Sequence, residues 1–431
     1  MDLIPKPDQV VSAASNVAHM MLYGGLADLR PMSRTLIDDG VLREVYHYRP
    51  SGTAKEHGDP VLLVTPLAAP AICFDLRRGC SFVEHLVQKG RPTYLVEYGQ
   101  VSFANRTLGM EHWIDEVIPA AIRAVSAHAG GRPVHLIGWS LGGIFALLTA
   151  ADQTDLPIGS LTVLGAPIDV NQVPLVAPIR PFLGLAGDRG GLVTQAYRLM
   201  GGAPKPLVRW AFQLSGFNKL VTKPIAIASK LDDADFLAQV EAVNRFTANM
   251  IAYPGRTFGQ LYHRILKGNQ LAGGVVTLDH REIALADLQV PLLVFGGAGD
   301  GIAPVDCVRP LIHLVPQVKE PRFEIVPGGH LGMLTGRAAR GTTWRIIDEF
   351  LAECATVDAV KKPPVRKTAR KTAARKTAAK KAPAKAASTR KPAVKRAATK
   401  PDAPRMHAPI GSNPDRRYDS ATSRSLAGRV R

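Results

Sequence analysis

The feature that most constrains this chain is the segment Gly138-Trp139-Ser140-Leu141-Gly142, which follows an apolar run at 134–137 and precedes a helix-like run at 141–151. A serine in a G-x-S-x-G segment between a strand and a helix occupies a strained turn that only small neighbours permit. The turn lifts the hydroxyl above the edge of the sheet, and the helix that follows directs its amide dipole at the site. The segment therefore predicts Ser140 as a catalytic nucleophile.

Short apolar runs bounded by glycine, proline or aspartate recur along the chain, as buried parallel strands do. These runs lie at 61–65, 93–97, 134–137, 161–164, 291–295 and 322–326. Helix-like segments alternate with them, at 81–89, 110–128, 141–151, 305–315 and 342–353. This alternation predicts an α/β protein with a mostly parallel central sheet and helices on both faces. Together with the serine turn, it predicts the α/β-hydrolase fold.

The spacing of the predicted strands breaks once, between 164 and 291, where the chain is far longer than a crossover needs. The intervening segment contains helix-like runs at 231–249 and 257–267. We interpret it as a helical cap that lies over the carboxyl ends of the strands and selects the substrate. A packing excursion with no catalytic role is the alternative. The predicted domains are an N-terminal helical and strand extension at 1–58, a hydrolase core at 59–170 and 286–356, a cap at 171–285 and a tail at 357–431.

The positive charge of the chain is concentrated in that tail. The whole chain has a formal net charge of +18, and the residues from 361 to the end include 22 Lys and Arg but only 3 Asp. Arg-Lys-Thr-Ala recurs at 366, 370 and 375 among alanines and prolines, a composition that predicts disorder. The repeats resemble the tails of histone H1-like proteins, which implies that 361–400 binds DNA or another polyanion. A merely solubilising tail is the alternative.

The cysteines and the apolar stretches exclude several classes of protein. The four cysteines form no CxxC pair and join no histidine cluster at metal spacing, so we expect neither a disulfide framework nor a metal or other cofactor. Residues 1–25 lack the basic and apolar regions of a secretory signal. The most apolar stretch, 60–74, is shorter than the ~20 residues that a membrane-spanning helix needs. We therefore expect a cytoplasmic protein without a transmembrane segment.

A serine nucleophile needs a base and an acid, and the chain supplies both after later strands. His330 follows the last predicted strand, and Asp300 follows the one before it. The order serine, aspartate, histidine is that of the α/β-hydrolase fold. We expect His330 to take the Ser140 proton and Asp300 to fix the tautomer of the imidazole. Asp169, which follows the run at 161–164, is the alternative acid.

Two backbone amides should stabilise the oxyanion that forms when the serine attacks. The Leu141 amide is one of them, because this residue directly follows the nucleophile. The second amide comes from the loop after the run at 61–65, so Leu67 and Ala68 are the candidates. That loop contains no HGGG stretch, and the choice between the two stays open.

Several segments resemble, in order, those of polyhydroxyalkanoate synthases of the two-subunit type. They are VTPLAAPAICFDLR at 64–77, GAPIDV at 165–170, GDGIAP at 299–304 and PGGHLG at 327–332. The resemblance covers 60–350, including the cap at 256–271. It implies acyl-CoA thioesters of 3-hydroxy acids as substrates and a nucleophile–Asp–His triad at Ser140, Asp300 and His330. It also implies a synthase partner subunit or a homodimer.

The chain departs from those synthases at the nucleophile, where they have cysteine and this chain has Ser140. A thiolate exchanges readily with thioesters, whereas a serine alkoxide must be generated by the histidine and forms an oxygen ester. The wider resemblance favours synthase-like acyl transfer. The serine favours ester or thioester hydrolysis, as in intracellular polyester depolymerases and esterases. A non-catalytic tether at polyester granules or at the nucleoid is the third function, and the complete triad argues against it.

Overall fold

A mixed sheet lies at the centre of the structure. The computed structural model describes residues 6–50, 52, 55–174, 176, 192–214, 224, 226–279 and 281–361. Its strands are β1 (Arg34–Gly40), β2 (Arg43–Tyr48), β3 (Val61–Val64), β4 (Thr93–Glu97), β5 (Val134–Trp139), β6 (Ile158–Leu164), β7 (Gly202–Ala203), β8 (Tyr253–Pro254), β9 (Val275–Leu278), β10 (Arg281–Ala284), β11 (Leu292–Gly297) and β12 (Arg322–Val326).

The main sheet has eight strands in the order β1-β2-β4-β3-β5-β6-β11-β12. Every neighbouring pair from β4 to β12 is parallel. The N-terminal strands β1 and β2 add an antiparallel edge, since β2 pairs antiparallel with both β1 and β4. The predicted α/β architecture with a mostly parallel sheet is confirmed, and all six predicted apolar runs are strands of this sheet.

Helices α3 and α4 cover one face of this sheet, and helices α2 and α11 cover the other. The described α-helices are α1 (Pro7–Tyr23), α2 (Phe82–Gln88), α3 (Ile118–His128), α4 (Leu141–Asp152), α5 (Leu192–Met200), α6 (Lys205–Leu214), α7 (Ala234–Ala248), α8 (Gly255–Gln260), α9 (Val305–Val308), α10 (Gly332–Thr335) and α11 (Thr343–Lys361). The helix predicted at 110–128 begins as a π-helical segment, His112–Val117, before α3. Pro119, in the first turn of α3, has no N–H for an i→i−4 bond, which explains the wider turn that precedes it.

The two faces of the sheet bury separate hydrophobic clusters. Successive residues of β3 alternate between them: Leu62 and Val64 join the cluster that contains α3 and α4, whereas Val61 and Leu63 join the cluster that contains α2 and α11. Because side chains of a strand point alternately to opposite faces, a sheet covered on both sides needs an apolar residue at every position. The apolar runs in the sequence are continuous because both faces of the sheet are covered.

The insertion between β6 and β11 contains strands as well as helices. Antiparallel pairing joins β7 to β8 and β9 to β10. The strand β9 reads Val-Val-Thr-Leu, and such β-branched residues favour an extended chain. Residues 177–191 and 215–223 of the predicted cap lie outside the described residues, so the extent of the cap stays a prediction.

The C-terminal helix α11 ends at Lys361, four residues beyond the start of the predicted tail at 357. The remainder of the predicted tail lies outside the described residues. Within the described ranges, no helix is both long and apolar enough to cross a membrane.

Candidate active site

The turn that carries Ser140 is strained and tightly packed. It joins β5 to α4, and Ser140 has a φ of 54° and a ψ of −125°, which few residues with a side chain adopt. A Cβ at position 138 would lie 2.6 Å from the Gly143 Cα, and a Cβ at position 142 would lie 2.4 Å from the Val64 carbonyl oxygen. Only glycine fits at these two positions, and this close packing holds the serine in its strained conformation.

Ser140, His330 and Asp300 form a continuous hydrogen-bonded chain. The Ser140 Oγ lies 2.8 Å from the His330 Nε2, and the His330 Nδ1 lies 2.7 Å from the Asp300 Oδ2. The other carboxylate oxygen, Asp300 Oδ1, accepts the backbone N–H groups of Ile302 at 2.8 Å and Ala303 at 3.0 Å. The histidine and aspartate side chains are 6% and 0% exposed. This arrangement can deprotonate a serine hydroxyl and stabilise the imidazolium that results.

The loops that carry the aspartate and the histidine follow adjacent parallel strands. Asp300 follows β11 and His330 follows β12. These two strands are paired in parallel, from Leu293 opposite Arg322 to Gly297 opposite Val326. The two loops are joined directly, because the Gly299 N–H donates to the Gly328 carbonyl at 2.8 Å. Gly328 has a φ of 114°, a conformation that glycine adopts without strain. Parallel pairing therefore places Asp300 and His330 at one edge of the sheet, beside the turn at 138–142 that carries Ser140, which we call the elbow.

A family model described as alpha/beta hydrolase fold matches residues 59–337. The chain belongs to this alpha/beta hydrolase family. Its curated relatives include the poly(3-hydroxyalkanoate) polymerase subunit PhaC of Haloferax mediterranei, which is 24% identical over 71% of this chain and 61% of its own length. The PhaC subunit of Allochromatium vinosum is 26% identical over 69% of this chain and 82% of its own. The resemblance to polyhydroxyalkanoate synthases is confirmed by these relatives, although the match spans less than two thirds of the Haloferax protein.

Two solved structures are also similar to this chain. The esterase RhEst1 from Rhodococcus sp. ECU1013 is 15% identical over 75% of this chain and 100% of its own, with a TM-score of 0.43. The proline iminopeptidase of Mycobacterium smegmatis is 15% identical over 76% of this chain and 100% of its own, with a TM-score of 0.40.

Trp139 contacts the histidine of the hydrogen-bonded chain in this alpha/beta hydrolase, and sequence reasoning missed it. Its indole N–H donates to the His330 backbone carbonyl at 3.0 Å, and its ring centroid lies 5.0 Å from that of the imidazole. A buried tryptophan usually finds an acceptor for its N–H. Trp139 directly precedes the predicted nucleophile at the end of a buried strand. Together with that rule, this position could have indicated that the indole donates to a group of the site. The indole fixes the backbone that carries the base.

The predicted oxyanion donors lie around the elbow. The Leu141 amide is the first N–H of α4, a position with no acceptor inside the helix. Leu67 and Ala68 are buried in the loop after β3, and the end of that strand packs against Gly142. The Ala68 carbonyl accepts the Ile251 N–H at 2.8 Å, which connects this loop to the insertion. All three donors stay predictions.

Asp169, the alternative acid, has other partners. Its carboxylate accepts the Asn269 side-chain amide at 2.8 Å, the Asn171 N–H at 3.1 Å and the Gln172 side-chain amide at 3.0 Å. The carboxylate that contacts His330 is that of Asp300.

None of the four cysteines competes with the serine, because all of them are buried. Burial raises the pKa of Cys73 well above its ordinary value and raises the pKa of Cys307 to about 12. Among the described residues, no group of three His, Cys, Asp or Glu side chains is placed to hold a metal ion.

Proposed function

We propose that this protein is an acyltransferase that accepts thioesters of 3-hydroxy acids and forms an acyl-enzyme on Ser140. The proposal is carried by the unbroken chain from the Ser140 hydroxyl through His330 to the buried Asp300, at 2.8 and 2.7 Å. Activation of a serine by an adjacent base is what acyl transfer through a covalent intermediate requires. The names of the curated relatives, poly(3-hydroxyalkanoate) polymerase subunits, support the choice of substrate class.

In the first half-reaction, the His330 Nε2 takes the hydroxyl proton as the Ser140 Oγ bonds to the thioester carbonyl carbon. Negative charge develops on the carbonyl oxygen, where the Leu141 amide and an amide of the 67–68 loop would stabilise it. The carbon–sulfur bond then breaks, and the imidazolium returns its proton to the departing thiolate. The products are a free thiol and an ester of Ser140.

In the second half-reaction, the same histidine deprotonates the hydroxyl of an incoming 3-hydroxyacyl group. That oxygen attacks the serine ester, the Ser140 oxygen leaves, and His330 gives the proton back to it. The acyl chain is thereby lengthened by one unit. Water at the same position would instead release a free acid, so the identity of the second nucleophile separates a transferase from a hydrolase.

The decisive experiment incubates the full chain with 3-hydroxybutyryl-CoA and follows both CoA release and the size of the product. Release of CoA with formation of oligomer or polymer supports the proposal. Release of CoA with only free 3-hydroxybutyrate would replace it with a thioesterase. Turnover of short p-nitrophenyl esters without any CoA release would leave an esterase.

A Ser140→Cys variant sharpens this test, because it restores the nucleophile of the synthases that the chain resembles. The native thiols are buried, so the new thiol is the reactive one, and about one equivalent of iodoacetamide per chain should label the variant. We expect the variant to raise the ratio of oligomer to free acid, since a thioester intermediate exchanges with hydroxyl nucleophiles more readily than an oxygen ester does. An unchanged ratio would show that the nucleophile does not decide between transfer and hydrolysis.

A further inference from the structure

A cavity of about 640 Å³ lies beside α8, apart from the triad, and its wall is rich in arginine. Four of the lining residues are Arg106, Arg198, Arg256 and Arg264. We call this the arginine-lined cavity. A volume of this size is typical of a pocket for a small molecule rather than for a single ion.

Acidic side chains balance only part of the charge in the arginine-lined cavity. Arg256 pairs with Asp279 and, at 3.5 Å, with Glu111. Arg264 lies 3.9 Å from the same Glu111 carboxylate. Two carboxylates therefore face two of the four guanidinium groups, and their charges cancel.

Arg106 and Arg198 supply the surplus positive charge. Neither side chain has a carboxylate at ion-pair distance in the part of the chain that the structure describes. Arg106 donates to the Phe103 carbonyl at 3.2 Å and lies over the Phe103 ring, 4.5 Å from its centroid. Both arginines are exposed, so their remaining N–H groups can bind a ligand that enters from solvent. An excess of arginine over acid in a concave site favours an anionic ligand.

Backbone hydrogen bonds hold the wall of the cavity together. The Arg256 N–H donates to the Arg106 carbonyl at 2.8 Å, and the Thr257 N–H donates to the Leu108 carbonyl at 3.1 Å. The short strand β7, directly after α5, pairs with β8, directly before α8. Three separate chain segments thus present their arginines from one hydrogen-bonded frame. Such preorganisation lowers the entropy that a ligand loses on binding.

A short stretch of chain connects this wall to the catalytic site. Ile251 donates to the carbonyl of Ala68, in the loop that supplies an oxyanion candidate, at 2.8 Å. Gly255, which lines the cavity, lies four residues further along the chain. Four residues of extended chain span at most about 14 Å. The cavity wall and the loop of the oxyanion candidates are therefore joined through one short stretch of chain.

We propose that the arginine-lined cavity binds the phosphate groups of a coenzyme A thioester while the thioester carbonyl lies at Ser140. This role rests on the acyl transfer proposed above and adds the place where the non-reacting end of the substrate binds. Guanidinium groups match phosphate oxygens in bidentate geometry and stay charged at every working pH. Contacts with this remote end hold the reacting carbonyl close to the nucleophile.

The test compares two substrates that share one reacting thioester. One is 3-hydroxybutyryl-CoA, and the other is the N-acetylcysteamine thioester of 3-hydroxybutyrate, which has no phosphate. In an Arg106→Gln/Arg198→Gln variant of the full chain, we expect KM for the CoA thioester to rise about tenfold and KM for the N-acetylcysteamine thioester to stay unchanged. Arg123→Gln is the matched control, since Arg123 is an exposed arginine on α3 with a side chain that is 55% exposed. It should change neither KM.

Equal KM values for the CoA thioester in the wild type and in the double variant would overturn the proposal, as would an equal rise with both substrates. A binding measurement keeps this result separate from failure of the acyl transfer itself. Adenosine 3′,5′-bisphosphate, titrated calorimetrically into the full chain, should bind about tenfold more weakly to the double variant, whether or not any thioester is turned over. The basic tail contributes equally to both proteins. If the double variant lost more affinity for inorganic tripolyphosphate than for the nucleotide, the assignment of the cavity to coenzyme A would be overturned.

Discussion

The hydrogen-bonded chain of Ser140, His330 and Asp300 and the arginine-lined cavity hold charged groups in opposite ways. In this hydrogen-bonded chain, the Asp300 side chain is fully buried, and its two oxygens accept hydrogen bonds from the His330 imidazole and from two backbone amides. In the cavity, two of the four arginines have no carboxylate partner among the described residues, and solvent reaches them. The protein holds the groups proposed to react in position beforehand, because any reorganisation during the reaction would raise its barrier. Groups that bind keep hydrogen-bonding capacity for the ligand.

Removal of the nucleophile should have the largest effect. Ser140→Ala should lower kcat by about 10⁵-fold for every substrate, because no other group takes over the attack. The variant should unfold at the wild-type temperature or above it, since loss of the hydroxyl alone leaves the packing of the turn intact. Steady-state kinetics and thermal unfolding measure the two quantities. Ser229→Ala, at an exposed serine, is the control, and full activity in Ser140→Ala would overturn the site.

Substitution of the two candidate acids, Asp300 and Asp169, should have very different effects on kcat. Asp300→Asn should lower kcat by about 10⁴-fold, because the amide holds the wrong tautomer of His330 and cannot stabilise the imidazolium. Asp169→Asn keeps the size of a side chain that contacts Asn269 rather than the histidine, so kcat should change by less than about threefold. Kinetics at saturating substrate distinguish the pair. A larger loss in Asp169→Asn than in Asp300→Asn would reverse the assignment of the acid.

Trp139→Phe should have an intermediate effect. Phenylalanine keeps the ring against the imidazole but leaves the buried His330 carbonyl without its donor, which costs about 1 kcal/mol. We expect kcat to fall about fivefold with KM unchanged, because the base loses its position while substrate contacts remain. Trp113→Phe is the matched control: its buried indole donates to Thr257 at 3.3 Å, away from the triad. An equal loss of kcat in both variants would mean that the effect is general destabilisation.

Removal of the basic tail should leave catalysis almost unchanged. A variant truncated after residue 364 should keep kcat and the KM for 3-hydroxybutyryl-CoA within about twofold, because the triad and the cavity lie before that point. Retention on DNA should fall sharply, and only the full chain should show the steep salt dependence of phosphate neutralisation. Equal retention of the two proteins across the salt series would contradict a polyanion-binding tail. A rise in KM on truncation would mean that the tail, and not only the cavity, contributes to substrate binding.

Much of the fold was predictable because it depends on local pattern. The apolar runs are continuous where both faces of the sheet are covered, as at Val61–Val64, and this pattern is visible in the sequence alone. The elbow was visible for the same reason, since two glycines must flank a serine at φ 54°. The π-helical turn before Pro119 and the strands β7 to β10 were not predicted. The strands β7 and β8 pair between Gly202 and Pro254, which are too distant in the sequence for a local pattern to indicate. The strands β9 and β10 have four residues each, too few for periodicity to separate a strand from other structure.

The sequence by itself determined the family, the elbow and the order of Ser140, Asp300 and His330, because each depends on residue type and on position after a strand. Only the tertiary structure decided which side chains meet. It places the Trp139 indole on the His330 carbonyl, and it gathers arginines from positions 106, 198, 256 and 264 around one cavity. No periodicity joins those four positions. Their meeting follows from the pairing of β7 with β8 and from the hydrogen bond between Arg256 and Arg106, contacts that exist only once the chain has packed.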